Sequence, residues 1–195
     1  VEQRQSLKTF KDRGMPVEWG TILGAFGCNY EGELPTALIL ERVQSALDEA
    51  ELAGFRLKGI KLTDAMGWAT PRSVERLVAA IREKWPELEI SLHLHDTRGT
   101  GLASAYAGLR LGVTKFDASV AGLGGCPFAA TDGAAGNICT EDFAFLCEEM
   151  GVETGLDIDR LIEVAKLAED VVGRPLPGHL MRGGTLTAAK QKAAA

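Results

Sequence analysis

Four apolar, strand-length segments, each followed by a helix-length stretch, restrict this chain to an α/β fold built on a parallel sheet. After an amphipathic segment near Glu2–Arg13, the pattern predicts strands near Val17–Ala25, Leu57–Thr63, Glu89–His95 and Thr114–Val120. Helices are expected at about Pro35–Ala53, Pro71–Lys84 (proline in the first turn), Gly101–Leu111, Thr140–Met150 and Asp157–Val172. Residues 1–184 read as a single domain and the small, polar stretch 185–195 as a loose tail. The chemically capable residues fall at or just past strand C-terminal ends: Cys28 and Glu31, Asp64, His93 and His95, Cys126. Barrels keep their chemistry there, and so do open doubly wound sheets, so position alone leaves both architectures open.

The segment Ser91-Leu-His-Leu-His-Asp-Thr-Arg98 carries the sharpest chemical signal. Side chains alternate faces along a strand, so His93 and His95 project from the same face. Two imidazoles at that spacing can grip one metal ion, and a neighbouring carboxylate can tune or share the site. Two of the chain's three histidines lie here. The plainer alternative is a His-x-His pair that merely fills core or surface.

Further along, Phe116-Asp-Ala-Ser-Val-Ala-Gly-Leu-Gly-Gly-Cys126-Pro-Phe leads to Gly136-Asn137-Ile-Cys-Thr-Glu-Asp142. An apolar run gives way to a loop holding Gly122, Gly124 and Gly125, with Cys126 between glycine and proline. Such a loop can approach a ligand closely, and a thiol on it can react where a core thiol would be inert. A glycine-rich turn with a tolerated cysteine is the competing reading. The Asn137 carbonyl is placed to complete an oxygen- and nitrogen-rich metal site, and Thr140 reads as the N-cap of the helix that follows.

Composition excludes several classes of protein. At 46% hydrophobic and 25% charged, with net charge −6, the chain falls within the globular range. No apolar run reaches the roughly 18 residues of a membrane span. The polar start, Val1-Glu-Gln-Arg-Gln, lacks a signal-peptide core, and the four unevenly spaced cysteines suggest reduced thiols, so a cytoplasmic protein is expected. The acidic balance, with no basic stripe, argues against nucleic acid as partner.

The chain resembles the hydroxymethylglutaryl-CoA lyase family, among the metal-dependent lyases and Claisen-type condensing enzymes built on TIM barrels. The resemblance rests on His93-Leu-His95-Asp96-Thr97, Gly101-Leu-Ala, Ser119-Val-Ala-Gly-Leu-Gly-Gly-Cys126-Pro-Phe and Gly136-Asn137 with Thr140-Glu-Asp. It extends to Gly27-Cys28-Asn-Tyr-Glu31-Gly-Glu33, Asp64 with Gly67 and Thr70-Pro71, and Gly151-Val-Glu-Thr-Gly155. It implies a (β/α)8 barrel of which this chain is about the last four βα units, with C-terminal helices. A whole barrel takes about 250 residues, so the family's Arg-Asp pair is expected outside this sequence. Taken alone, such an arc would expose two sheet edges and an apolar inner face.

The activity the resemblance implies is divalent-metal-dependent cleavage of a 3-hydroxy-3-methylglutaryl-CoA-like thioester to acetyl-CoA and a 3-oxo acid. It names His93, His95 and Asn137 as ligands of Mg²⁺ or Mn²⁺, with Zn²⁺ also compatible. His93 has a competing role as carrier of the hydroxyl proton, and Cys126 would be the acid that protonates the enolate. Asp64 either assists the base or orders a water at the mouth, or it caps the next helix. A homodimer acting on an acyl-CoA thioester is implied as well. Departures from the family, Thr63-Asp64-Ala65, Trp68 and Arg98, leave the acyl group open, and Arg98 is expected to offer its charge to a carboxylate or a CoA phosphate. A condensing enzyme of the same superfamily, or a half-barrel without turnover, are the other readings.

Overall fold

The computed structural model describes residues 2–125 and 135–194. In chain order the elements are α1 (Glu2–Asp12), β1 (Trp19–Ile22), α2 (Thr36–Leu52), β2 (Gly59–Asp64), α3 (Pro71–Lys84), β3 (Glu89–Leu94), α4 (Gly101–Arg110) and β4 (Lys115–Asp117). A 3-10 turn, Val120–Gly122, then precedes α5 (Thr140–Glu149), α6 (Ile158–Val172), α7 (Leu180–Gly183) and α8 (Leu186–Ala194). Among the described residues the four strands are parallel and lie in the order β1-β2-β3-β4. A doubly wound sheet reverses direction at a switch point. Unbroken sequential order is instead that of a barrel wall.

Local chemistry explains the element ends. Thr70 and Ser73 form a reciprocal capping box ahead of α3, with Pro71 in its first turn. The buried residues Val74, Leu77, Val78 and Ile81 then recur at helical spacing. Asp157 caps α6 by accepting the Arg160 N–H, and Gly173, at φ 71°, ends it in the left-handed conformation. At α5 the expected cap is displaced: Thr140 is the first helical residue and Cys139 the N-cap, without a side-chain bond. The stretch 185–195, expected to be loose, is helical over Leu186–Ala194, although none of that helix is buried.

Alternation divides the sheet into two unlike faces. Ile60 and Leu62 of β2, with Ile90, Leu92 and Leu94 of β3, pack outward against Ile39 and Val43 of α2 and the buried stripe of α3. Helix α4 approaches the sheet closely through small residues. A Cβ on Gly108 would lie 2.5 Å from Leu92 Cδ1. The register aligns Lys61 with Ser91, and Thr63 with His93 and Asp117, so these side chains share the other face. That inner face is polar, which corrects the expectation of an apolar one. The leucines and isoleucines are already used by the helix-facing side.

Leu92 is fully buried, so Leu92→Ala should lower the unfolding free energy by about 2–5 kcal/mol in denaturant titrations. Gly108→Ala should destabilise the wild-type protein and do so less in the Leu92→Ala background, where the clashing methyl is gone. Strictly additive effects would contradict the packing described.

Candidate active site

Strand β3 ends with its two histidines on the inner face, and their Nε2 atoms lie 3.2 Å apart. That spacing suits one ion shared by both nitrogens at ordinary metal–nitrogen distances of about 2.0–2.1 Å. His93 is bonded through Nδ1 to Asp117 Oδ2 at 2.9 Å, and Lys61 Nζ donates to the same oxygen at 2.8 Å. His95 is 7% exposed, and its Nδ1 has no hydrogen-bond partner among the described residues.

Asn137 is brought to His95 by backbone pairing. Residues 136–140 run across the ends of β3 and β4, held by Asp96 N–H to Gly136 O (3.1 Å), Ile138 N–H to Leu94 O (3.0 Å) and Ser119 N–H to Ile138 O (3.0 Å). His95 and Asn137 form an isolated β-bridge, which brings the Asn137 side chain to the imidazole. The donor set of two imidazoles and one amide, with no thiolate, fits a divalent ion with an oxygen-and-nitrogen preference.

Cys126 lies outside the described residues. Its flanking segments meet where only glycine fits: a Cβ on Gly136 would stand 2.7 Å from Gly124 Cα and 2.9 Å from Leu123 O. Gly124 itself has φ 141°. The preceding turn contains Ala121 at φ 55°, a strained conformation for a residue with a side chain. It is held by its N–H on Glu141 Oε2 (3.0 Å) and its carbonyl on the Gly178 N–H (3.1 Å).

Asp64 is not part of the histidine cluster. It pairs in register with Leu94, and so faces the helices while His93 and His95 face inward. Its carboxylate accepts the Trp68 N–H at 2.7 Å and the Ala69 N–H at 2.9 Å, tying the loop that leads into α3. Burial pushes this carboxyl up, against the lowering by those amides and by the Arg98 charge. Asp64 therefore ties the loop ahead of α3, while the N-cap of that helix is Thr70.

Arg98 likewise departs from expectation. Its guanidinium donates to the Met66 and Gly67 carbonyls at 2.8 and 2.9 Å and lies over the Trp68 ring. Asp96 accepts the Gly101 N–H at the start of α4, and Glu33 pairs with Arg76 of α3. Cys28 Sγ accepts the Glu31 N–H inside a tight turn.

A second group of metal-capable atoms, Cys139, Glu141 and Asp142, lies within 4.8 Å of one another. It makes a poor ion site. Asp142 already accepts the His179 and Leu180 N–H groups and bonds His179 Nδ1, and burial raises the Cys139 thiol far above its ordinary value.

The residues missed by sequence reasoning are Asp117 and Lys61. Burial pushes Asp117 up, but the hydrogen bonds from Lys61 and His93 outweigh it and hold the carboxyl below its ordinary value. A lysine inside an otherwise apolar strand, Gly-Ile-Lys-Leu, was the available signal. Its partner depends on strand register, which the sequence does not display.

The described strands form a parallel barrel wall with two histidines paired at the end of one strand. The chain belongs to the HMGL-like family, whose family model matches residues 2–168. It is 40% identical over 79% of its length to the hydroxymethylglutaryl-CoA lyase YngG of Bacillus subtilis, covering 49% of that protein. It is 38% identical over 85% of its length to an (R)-citramalyl-CoA lyase of Chloroflexus aurantiacus, covering 50% of that protein. A solved HMG-CoA lyase from Acinetobacter baumannii, in complex with coenzyme A and 3-methylmalate, superposes with TM-score 0.78 and 35% identity. That match covers 93% of this chain and 56% of the other. The chain thus spans about half the length of the curated relatives it matches.

Asp64→Asn should cost about 1–3 kcal/mol of stability, from loss of a buried acceptor, while leaving Mn²⁺ affinity unchanged in a titration. Weakened Mn²⁺ binding in a folded variant would return Asp64 to the site. Acidification gives a second test. Burial, then the His93 charge, hold His95 below its ordinary 6.5, against the raising bond with Asn137. The unfolded chain therefore binds this proton first, and the stability His95 contributes is complete above pH 6.5 and lost as pH falls through its folded value. Metal-free unfolding followed from about pH 7.5 to about pH 5 should show a decline that is shallower in His95→Gln. Parallel profiles would contradict the assignment.

Proposed function

We propose that this chain carries the metal-holding part of a 3-hydroxyacyl-CoA lyase, with 3-hydroxy-3-methylglutaryl-CoA as substrate and acetyl-CoA and acetoacetate as products. The observation that carries the reading is the convergence of His93 Nε2 and His95 Nε2, with Asn137 bridged to His95 through the backbone, in a chain of this family. His93, His95 and Asn137 would hold Mg²⁺ or Mn²⁺, with Zn²⁺ chemically compatible. Bound there, the ion would polarise the substrate's hydroxyl and carbonyl oxygens.

The reaction transfers one proton out and one in. A base removes the tertiary hydroxyl proton, the oxygen's electron pair forms the new ketone, and the bond between the thioester α-carbon and the carbinol carbon breaks. Its electrons become the thioester enolate, which takes a proton at carbon to give acetyl-CoA. We assign that proton delivery to Cys126, on the ground of its Gly-Leu-Gly-Gly-Cys-Pro setting. The single lone pair on His93 Nε2 cannot both bind an ion and accept a proton, and we assign it to the ion.

A second acyl group is favoured by one observation: the citramalyl-CoA lyase relative is nearly as similar as the hydroxymethylglutaryl-CoA lyase. Both names describe thioesters that a metal site of this kind could address. A condensing role leaves Cys126 without a duty, and so does a half-barrel that binds a metal without turnover. No helix among the described residues is long and apolar enough to cross a membrane. A cytoplasmic homodimer accords with the family resemblance.

The deciding experiment is an acyl-CoA cleavage assay on this chain and on an N-terminally extended form, with both thioesters, in Mg²⁺ and in EDTA. Cleavage that EDTA abolishes is expected in the extended form, and Cys126→Ser should lower kcat by about 10²-fold or more. Full activity in Cys126→Ser, or indifference to EDTA, would overturn the mechanism. Preference for the citramalyl thioester would replace the substrate and keep the chemistry.

A further inference from the structure

The polar face of the sheet holds an ion pair that the proposed chemistry does not use. Lys61, in the middle of β2, lies in register with Ser91, one layer below the level shared by Thr63, His93 and Asp117. Its ammonium reaches up to Asp117 Oδ2, the same oxygen that bonds His93 Nδ1. All three side chains are about one-third exposed or less, so the arrangement is partly shielded from water.

We propose that Asp117 and Lys61 are positioning residues for the metal site, Asp117 fixing the His93 tautomer and Lys61 fixing Asp117. The inference rests on the reading of His93 and His95 as ligands. A carboxylate oxygen 2.9 Å from Nδ1 requires a hydrogen between them, because two lone pairs at that distance repel. A proton therefore sits on Nδ1, and in the neutral ring Nε2 presents its lone pair toward His95 Nε2. A carboxylate held only by that bond could rotate onto the ion and change its donor set. Lys61 supplies a second, charged donor to the same oxygen and keeps the carboxylate beside Nδ1. Lysine has donors only, so in this pairing the direction of the bond is unambiguous.

Two readouts test this, one of them independent of any metal. With only three histidines in the chain, long-range ¹H–¹⁵N spectra of the metal-free protein can assign the His93 tautomer. Mn²⁺ affinity is measured by the free-ion EPR signal. The wild-type protein should show His93 protonated at Nδ1. Asp117→Ala should move the population toward the Nε2–H form and weaken Mn²⁺ binding by about 10–100-fold. Lys61→Met should weaken binding less, and Lys61→Arg should restore it. If Asp117→Ala does not fold, as judged by circular dichroism, Asp117→Asn serves the same comparison. A wild-type tautomer and wild-type affinity in the folded Asp117 variant would overturn the proposal. Unchanged Mn²⁺ binding in His95→Ala would overturn the metal reading instead, and the metal-free spectra would still decide the role of Asp117.

Discussion

Alternation along β3 is the constraint from which the rest of the molecule follows. Ile90, Leu92 and Leu94 are buried against the helices, so Ser91, His93 and His95 must turn the other way. A shift of one residue in register would bury the imidazoles in the core and expose the leucines. Fold stability and site geometry therefore depend on the same pairing.

The strand-end loops are held by acceptors aimed at backbone amides. Asp64 ties the loop before α3, Asp96 the start of α4, Asp142 the start of α7, and Glu141 the strained turn at Ala121. The buried ones, Asp64, Glu141 and Asp142, offset part of their desolvation by taking N–H donors. Arg98 performs the reverse service for two carbonyls. Among the described residues, the mouth above the sheet is thus framed by polar groups engaged in holding loops, with the histidine pair and Asn137 beside them.

Much of this was legible in the residues. The βα alternation, Pro71 at a helix start and the His-x-His spacing express local rules of period and backbone freedom, and the elements follow them closely. What local rules cannot carry is register. Asp64 and Asp117 both end strands, yet pairing places Asp64 with Leu94 and Asp117 with His93. The carboxylate that looked catalytic is a loop clamp, and the one passed over touches the imidazole. The polar inner face escaped for the same reason, since Lys61 acquires its meaning only from a partner 56 residues away.

Register also bears on the acyl group. Trp68 and Arg98 distinguish this chain from the family pattern, and as bare sequence they suggested an altered binding surface. In the structure they brace each other: the Trp68 indole donates to Asn29 and the Arg98 guanidinium holds the Met66 and Gly67 carbonyls. A guanidinium engaged by two carbonyls is a weaker candidate for recognising a free carboxylate than an unpaired one. These departures therefore alter how two loops are joined more than what the mouth presents. On the proposed function, the imidazole pair and Asn137 would face a 3-hydroxythioester and address oxygens common to the hydroxymethylglutaryl and citramalyl thioesters. Discrimination between such acyl groups must arise from contacts beyond that shared element, which is how relatives of nearly equal similarity can bear two different names.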